Sequence, residues 1–123
     1  MKHVLSVGQC GYDHSSITRF LRGVFDVEIV PSATADEAVS LLRQKPFQLI
    51  LVNRQFDADG SEGLDFIKQL KSDPELAAVP VMLVTNFQDY AEQAVALGGL
   101  PGFGKSELGS GTVVARLRPL LGD

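Results

Sequence analysis

The sequence predicts an α/β fold in three layers, a parallel five-stranded sheet with helices on both faces. Two observations carry this. Leu49-Ile50-Leu51-Val52 is a run of consecutive large apolar residues closed by Asn53. A run this short and unbroken suits a strand buried on both faces, as in a parallel sheet covered by helices. The second is alternation: five strand-like segments each lead into a helix-like one, which implies right-handed crossovers. In open sheets of this kind, ligands bind beyond the carboxyl ends of the strands. Asn53 stands at such an end, on the central strand.

Val4 to Val7 reads as the first strand, and Gly8-Gln9-Cys10-Gly11 as the loop after it. Asp13 or Ser15 is placed to cap the first helix, since either side chain accepts from an unpaired backbone N–H. Ile17, Phe20, Leu21 and Val24 give that helix an apolar face, and Gly23 lies near its end. Val27, Ile29 and Val30 form the second strand, stopped by Pro31. Thr34 followed by Glu37 is a capping box opening a helix that buries Ala38, Leu41 and Leu42 and ends at Lys45-Pro46. After Asn53 comes a polar loop, Arg54 to Glu62. Gly63 to Leu70 is amphipathic, with Leu64, Ile67 and Leu70 inward, and Asp73-Pro74 breaks it. Val81 to Val84 is the fourth strand. Asn86 is placed to cap a helix through Tyr90, Ala94 and Leu97, ended by Gly98-Gly99. A short fifth strand around Phe103 leads to Lys105, and a last helix runs from Thr112 to Leu121 with Val113, Val114 and Leu117 inward.

At 123 residues the chain reads as one domain, 1–123, with room for one core. Its 45% apolar and 21% charged residues are a normal soluble balance. No apolar run is long enough to span a bilayer, and the first apolar segment is too short for a signal peptide. A net charge of −4 without any basic run argues against nucleic acid or an anionic membrane as partner. The single cysteine, Cys10, excludes an internal disulfide and fits a cytoplasmic setting.

Taken together, the third-strand run ending in a polar residue, Val81 to Val84 followed by Thr85, Gly98 before the fifth strand and Lys105 after it resemble a bacterial response-regulator receiver domain over almost the whole chain. The resemblance implies a flavodoxin-like (βα)5 fold with strand order 2-1-3-4-5. In that family an aspartate ending the third strand accepts a phosphoryl group from a histidine kinase. Two acids after the first strand hold Mg²⁺, and a Thr or Ser and a Lys contact the phosphoryl group. Thr85 and Lys105 match. The acceptor position is Asn53, the acidic pair is Gly8 and Gln9, the proline after the lysine is Ser106, and the aromatic switch position is Gly102. The loop after the third strand is slightly longer than usual.

These departures have a common chemical meaning. Aspartyl phosphorylation needs a carboxylate nucleophile, and an amide has no anionic oxygen. Mg²⁺ favours oxygen ligands that include carboxylates, and Gly8, Gln9 and Asn53 supply none. Without a metal the charge of a transferring phosphoryl group is not neutralised. Asn53 is then a strand-end residue bonding nearby backbone, and Thr85 a β-branched residue at a strand end. Lys105, beside a pocket emptied of acids, is expected to swing outward or to bond Asn53 or a backbone carbonyl.

Other motifs compete. Asp57 or Asp59 can replace Asn53 as acceptor if the loop folds back. Asp57-Ala58-Asp59-Gly60 also resembles the start of a calcium loop, but Lys68 stands where that loop needs a bidentate glutamate; a solvated turn is the plainer reading. Gly99-Leu100-Pro101-Gly102-Phe103-Gly104-Lys105-Ser106 fits the Walker A pattern, but a helix rather than a strand precedes it. Cys10 and His14 share the reactive edge without a third group to orient His14. His3 reads as a partly exposed strand residue.

The combined reading is a receiver-like signalling module, not an enzyme, without cofactor or metal, that acts by protein–protein interaction independently of phosphorylation. Its alternatives are a phosphorelay receiver using Asp57 or Asp59, and a nucleotide-binding protein using Gly99–Ser106. The expected partner is another signalling protein or a second copy. The pairing face in the family is formed by the fourth helix, fifth strand and fifth helix, which here carry Tyr90, Gln93, Phe103 and Arg116. Glycines at 98, 99, 102, 104, 109 and 111 are expected to loosen this region.

Overall fold

The apolar runs become one parallel sheet in the order β2-β1-β3-β4-β5. The strands are β1 (Lys2–Val7), β2 (Val27–Ser32), β3 (Leu49–Asn53), β4 (Val81–Val84) and β5 (Leu100–Phe103). The helices are α1 (Gly11–Val24), α2 (Ala35–Gln44), α3 (Gly63–Ser72), α4 (Gln88–Ala96) and α5 (Gly111–Leu121), with a 3₁₀ turn over Lys105–Glu107. The structure, a computed structural model, describes residues 1–122. This is the flavodoxin-like three-layer fold expected from the sequence.

Each central strand is buried on both faces, and alternate residues feed two cores. Val4, Leu49, Leu51, Met82 and Val84 pack against Ile17 and Leu21 of α1 and Val113 and Leu117 of α5. Leu5, Val7, Ile50, Val52 and Leu83 pack against Ala38, Phe66, Ile67, Leu70 and Ala94 on the other side. The register sets Val7 beside Val52 and Asn53 beside Val84, so Gly8, Asn53 and Thr85 emerge together at the carboxyl edge.

Several local expectations are corrected. Pro31 does not stop β2; it pairs with Ser6 and lies within the strand. β2 is an edge strand, where a missing N–H leaves no ladder bond unmade. The cap of α1 is Cys10, whose sulfur accepts from Asp13 N–H at 3.5 Å, rather than Asp13 or Ser15. Val24 is 42% exposed, and Phe25 takes the core place beyond the helix. In α3 it is Phe66, not Leu64, that is fully inward. Asn86 does not cap α4; its Oδ1 accepts from Ser106 N–H (3.2 Å) and Oγ–H (2.9 Å). The capping box at Thr34 forms its first half, Thr34 Oγ1 accepting from Glu37 N–H at 3.2 Å.

The glycines are the largest correction. Gly102 is bare because a side chain there would strike the Leu83 carbonyl, where the β4–β5 ladder shifts register. Gly104 is pressed against Asn86 in the same way, and Gly98 and Gly109 hold positive φ. Of the glycines expected to loosen this region, these mark tight approaches and turns instead.

Candidate functional site

The site assembles at the carboxyl edge from Gly8 after β1, Asn53 ending β3 and Lys105 after β5. Asn53 bridges the other two. Its Nδ2 donates to the Gln55 carbonyl (2.6 Å) and the Gly8 carbonyl (3.3 Å), and its Oδ1 accepts from Lys105 Nζ at 3.0 Å. The amide orientation follows from these partners: the donor faces two carbonyls, the acceptor an ammonium.

Lys105 has a second partner that the sequence reading missed. Its Nζ donates to Asp13 Oδ2 at 2.6 Å, an ion pair in which the two side chains are 27% and 25% exposed. The expected bond to Asn53 is present, but the pocket is not empty of acids. Asp13 sits in the first turn of α1, where negative charge also suits the helix dipole. Burial works against its charge. The hydrogen bond from Lys105, the one with Cys10 and the lysine's positive charge outweigh that, and hold the carboxyl below its ordinary value of 3.8.

The acid position at Gly8 is filled by hydrocarbon. Gly8 has φ +77°, and a Cβ built on it would fall into the ring of Phe56. Phe56 is 1% exposed and packs edge-on against Phe66 with ring centroids 5.9 Å apart. The loop that brings it there is closed on itself. Phe56 N–H donates to Ser61 O (2.8 Å), Gly60 N–H to Phe56 O (2.8 Å), and Gln55 bridges Glu62. Asp57 N–H then ties the loop to the Gly8 carbonyl at 3.0 Å. Gln9 buries both amide atoms without a hydrogen-bond partner among the described residues.

The remaining candidates separate. Asp57 lines a cavity of about 340 Å³ together with Cys10, Asp13, Asn53 and Gln55. Asp59 is exposed, its Oδ1 accepting from Ser61 N–H at 2.9 Å, and the bonds to Ser61 hold its carboxyl below the ordinary value. Thr85 and Lys105 line a second cavity of about 280 Å³ on the other side of Asn53, with Arg54 and Asn86. The Thr85 hydroxyl accepts from Phe87 N–H at 3.1 Å, inside its own turn. No side-chain hydrogen bond joins Cys10 and His14 among the described residues. The Walker-like stretch is β5 followed by the 3₁₀ turn, so no helix N-terminus follows its lysine to cradle a phosphate.

A divalent cation of the kind the family holds does not fit these residues. The Gly8 position has no room for a carboxylate, the Asp13 oxygen is bonded to Lys105, and Asn53 turns its amide N–H₂ toward the Gly8 carbonyl. Among the described residues no three His, Cys, Asp or Glu side chains are grouped to hold a metal. No helix there is long and apolar enough to cross a membrane.

No protein-family model matches the sequence, and neither does any curated protein. Solved structures do match in fold. The signal receiver domain of a DNA-binding response regulator from Colwellia psychrerythraea 34H superposes with a TM-score of 0.79 at 22% identity, covering 98% of both chains. The chemotaxis protein CheY4 of Vibrio cholerae gives 0.77 at 18% identity, over 98% of this chain and 99% of that one. A response regulator receiver protein from Pseudomonas putida gives 0.74 at 20% identity over 96% of each. The chain therefore has the fold of response-regulator receiver domains.

Proposed function

We propose that this chain is a receiver-like signalling module that works without aspartyl phosphorylation and delivers its output by protein–protein contact. One observation carries the reading: the lysine that would meet a phosphoryl group is already bonded to Asp13 and Asn53, while Phe56 fills the space beside Gly8. The amide of Asn53 offers no nucleophile. Partners would be another signalling protein or a second copy meeting through α4, β5 and α5. The test is to incubate the chain with acetyl phosphate and Mg²⁺ and weigh it intact. The expected mass is unchanged; a gain of one phosphoryl group overturns the reading.

One observation favours a second reading. Asp57 lines the same cavity as Asn53 and Asp13, whereas Asp59 is turned into its own loop. If phosphoryl mass is gained and then lost in Asp57→Asn, the chain is a phosphorelay receiver with a displaced acceptor.

A further inference from the structure

We infer that the outer face of α1 binds a diphosphate group, either free or carried on a small metabolite. The inference goes beyond the proposed protein contact and stands on α1 alone. The face is a trough of about 610 Å³, lined by His14, Ser15, Thr18, Arg19, Arg22 and Gly23. Helical geometry makes it. His14, Thr18 and Arg22 stand in one row four residues apart, and Ser15, Arg19 and Gly23 in the row beside it. No carboxylate lines the trough. The one acid of α1, Asp13, is bonded to Lys105.

Two independent observations converge on this face. The first is charge without a partner. Of the eleven Lys and Arg side chains, hydrogen bonds or ion pairs engage six and aromatic rings two, among the described residues. Arg19, Arg22 and Lys68 remain, and the two arginines share the trough about one turn apart. The second is polarity without a partner. Among the described residues, buried side-chain nitrogen or oxygen atoms that lack any hydrogen bond occur on Ser6, Gln9, His14 and Thr18. His14 and Thr18 are also trough residues. A threonine in mid-helix can bond its hydroxyl to the carbonyl four residues back; Thr18 does not. Unpaired buried groups cost free energy. Rotating the Thr18 hydroxyl about χ1 and the His14 ring about χ2 turns each orphaned atom from the packed side toward the trough. A ligand seated there gains bonds that the free chain forgoes.

The helix dipole alone explains a base in the last turn of α1, where Arg22 stands. It does not explain Arg19, or the unpaired atoms of His14 and Thr18 toward the other end. Nor does space demand Gly23. A Cβ there meets nothing within 4 Å, and glycine weakens a helix. Its bareness leaves the end of the trough open. Two guanidinium forks one turn apart match two adjacent anionic groups, each of which can take a pair of N–H bonds. The Ser15 and Thr18 hydroxyls and the His14 imidazole add further partners. That set suits a diphosphate better than a lone carboxylate. The trough has room for an organic group beside it. At a net charge of −4 the chain as a whole repels anions, so binding relies on these short-range bonds.

The test is a calorimetric titration of the chain with inorganic pyrophosphate, without divalent metal, alongside amide shifts of the ¹⁵N-labelled chain. Saturable binding is expected, with shifts centred on residues 14–23. Arg19→Gln and Arg22→Gln should each weaken it about tenfold. Lys68→Gln, which removes the same charge from α3, should leave it unchanged. Thr18→Val should weaken binding roughly threefold yet leave the free chain at least as stable in urea, since it deletes an unpaired hydroxyl. ADP identifies the source of the diphosphate. Tighter binding than pyrophosphate assigns a metabolite, the reverse assigns the free anion, and either supports the inference. Absent saturation, equal binding of sulfate, or shifts gathered at Asn53, Thr85 and Lys105 overturns it. So does an affinity unmoved by Thr18→Val, or one lost as much in Lys68→Gln as in the arginine variants. Saturation by a Glu-rich helical peptide and not by pyrophosphate would give this face to a protein and also overturn it. None of these results bears on the phosphate-free reading. Phosphoryl uptake in the mass experiment would sink that reading and spare the trough.

Discussion

The carboxyl edge of the sheet has two halves, and they are built on opposite physical terms. Around β1 and β3 the place of the acids is filled by packing: Phe56 is buried over Gly8, the loop carrying it bonds to itself and to Gly8, and the cavity of about 340 Å³ that remains lies toward Asp13 and Asp57. Around β4 and β5 the space stays polar and open, lined by Arg54, Thr85, Asn86 and Lys105. Asn53 stands between them and bonds to both. The difference teaches that the half lacking the two acids after β1 is not an emptied site. A receiver-type pocket without its acids would leave a lysine unpaired. Here α1 supplies the missing anion from Asp13, and the loop supplies the missing volume from Phe56.

The sharpest way to break this comparison is to put an acid back. Gly8→Asp should be the most damaging substitution at the edge. It forces a side chain onto a positive φ and into the Phe56 ring, so a loss above about 4 kcal/mol, or failure to fold, is expected. Phe56→Ala alone should cost about 3–5 kcal/mol through the cavity it leaves. Urea unfolding of the single and double variants measures the coupling. If the two residues compete for one space, the double variant loses clearly less than the sum of the singles. Strict additivity would mean that Phe56 does not fill the Gly8 site. On the open half, Thr85→Ala should stay within about 1 kcal/mol, because its hydroxyl serves one exposed turn.

Asn53→Asp lies between these in size and joins the halves. The new carboxylate would face the Gln55 and Gly8 carbonyls that now receive two N–H bonds, while gaining charge opposite Lys105. A net loss of about 1–2 kcal/mol is expected from the unpaired carbonyls and the repulsion. Without the acidic pair that would hold a cation after β1, acetyl phosphate should still leave the intact mass unchanged. Efficient phosphorylation of this variant would show that the acceptor alone was missing, and that the packed half is no obstacle.

The sheet was legible because burial on both faces leaves an unbroken apolar run, as in Leu49 to Val52. The N-cap at Thr34 was legible because its signal is local, although only the threonine half of the expected box forms. What escaped depends on distance in sequence or on backbone approach. Asp13 and Lys105 are 92 residues apart, and nothing near either predicts the pair. Phe56 reads as a lone apolar residue in a polar loop, since its partners Gly8 and Phe66 come from other elements. Gly102 and Gly104 look the same in sequence whether they give freedom or permit close contact, and the structure gives the second. Asn86 has the composition of a cap, but Ser106 draws its oxygen away from α4.

A comparably small effect is the most specific to the anion that α1 provides. Asp13→Asn removes the charge opposite Lys105 and should cost about 1 kcal/mol near neutral pH, as expected of a partly exposed ion pair. Its pH dependence carries the sign. The folded carboxyl is held below its ordinary 3.8, so in the native chain the pair contributes fully above about pH 4. The contribution is lost as pH falls through the lowered folded value, because the unfolded chain then binds the proton more readily. The gap in unfolding free energy between native chain and Asp13→Asn should therefore be flat from neutral pH down to about 4 and shrink below it. A gap that persists unchanged through acid would assign Asp13 a packing role alone, and the lysine's charge would then be balanced from elsewhere.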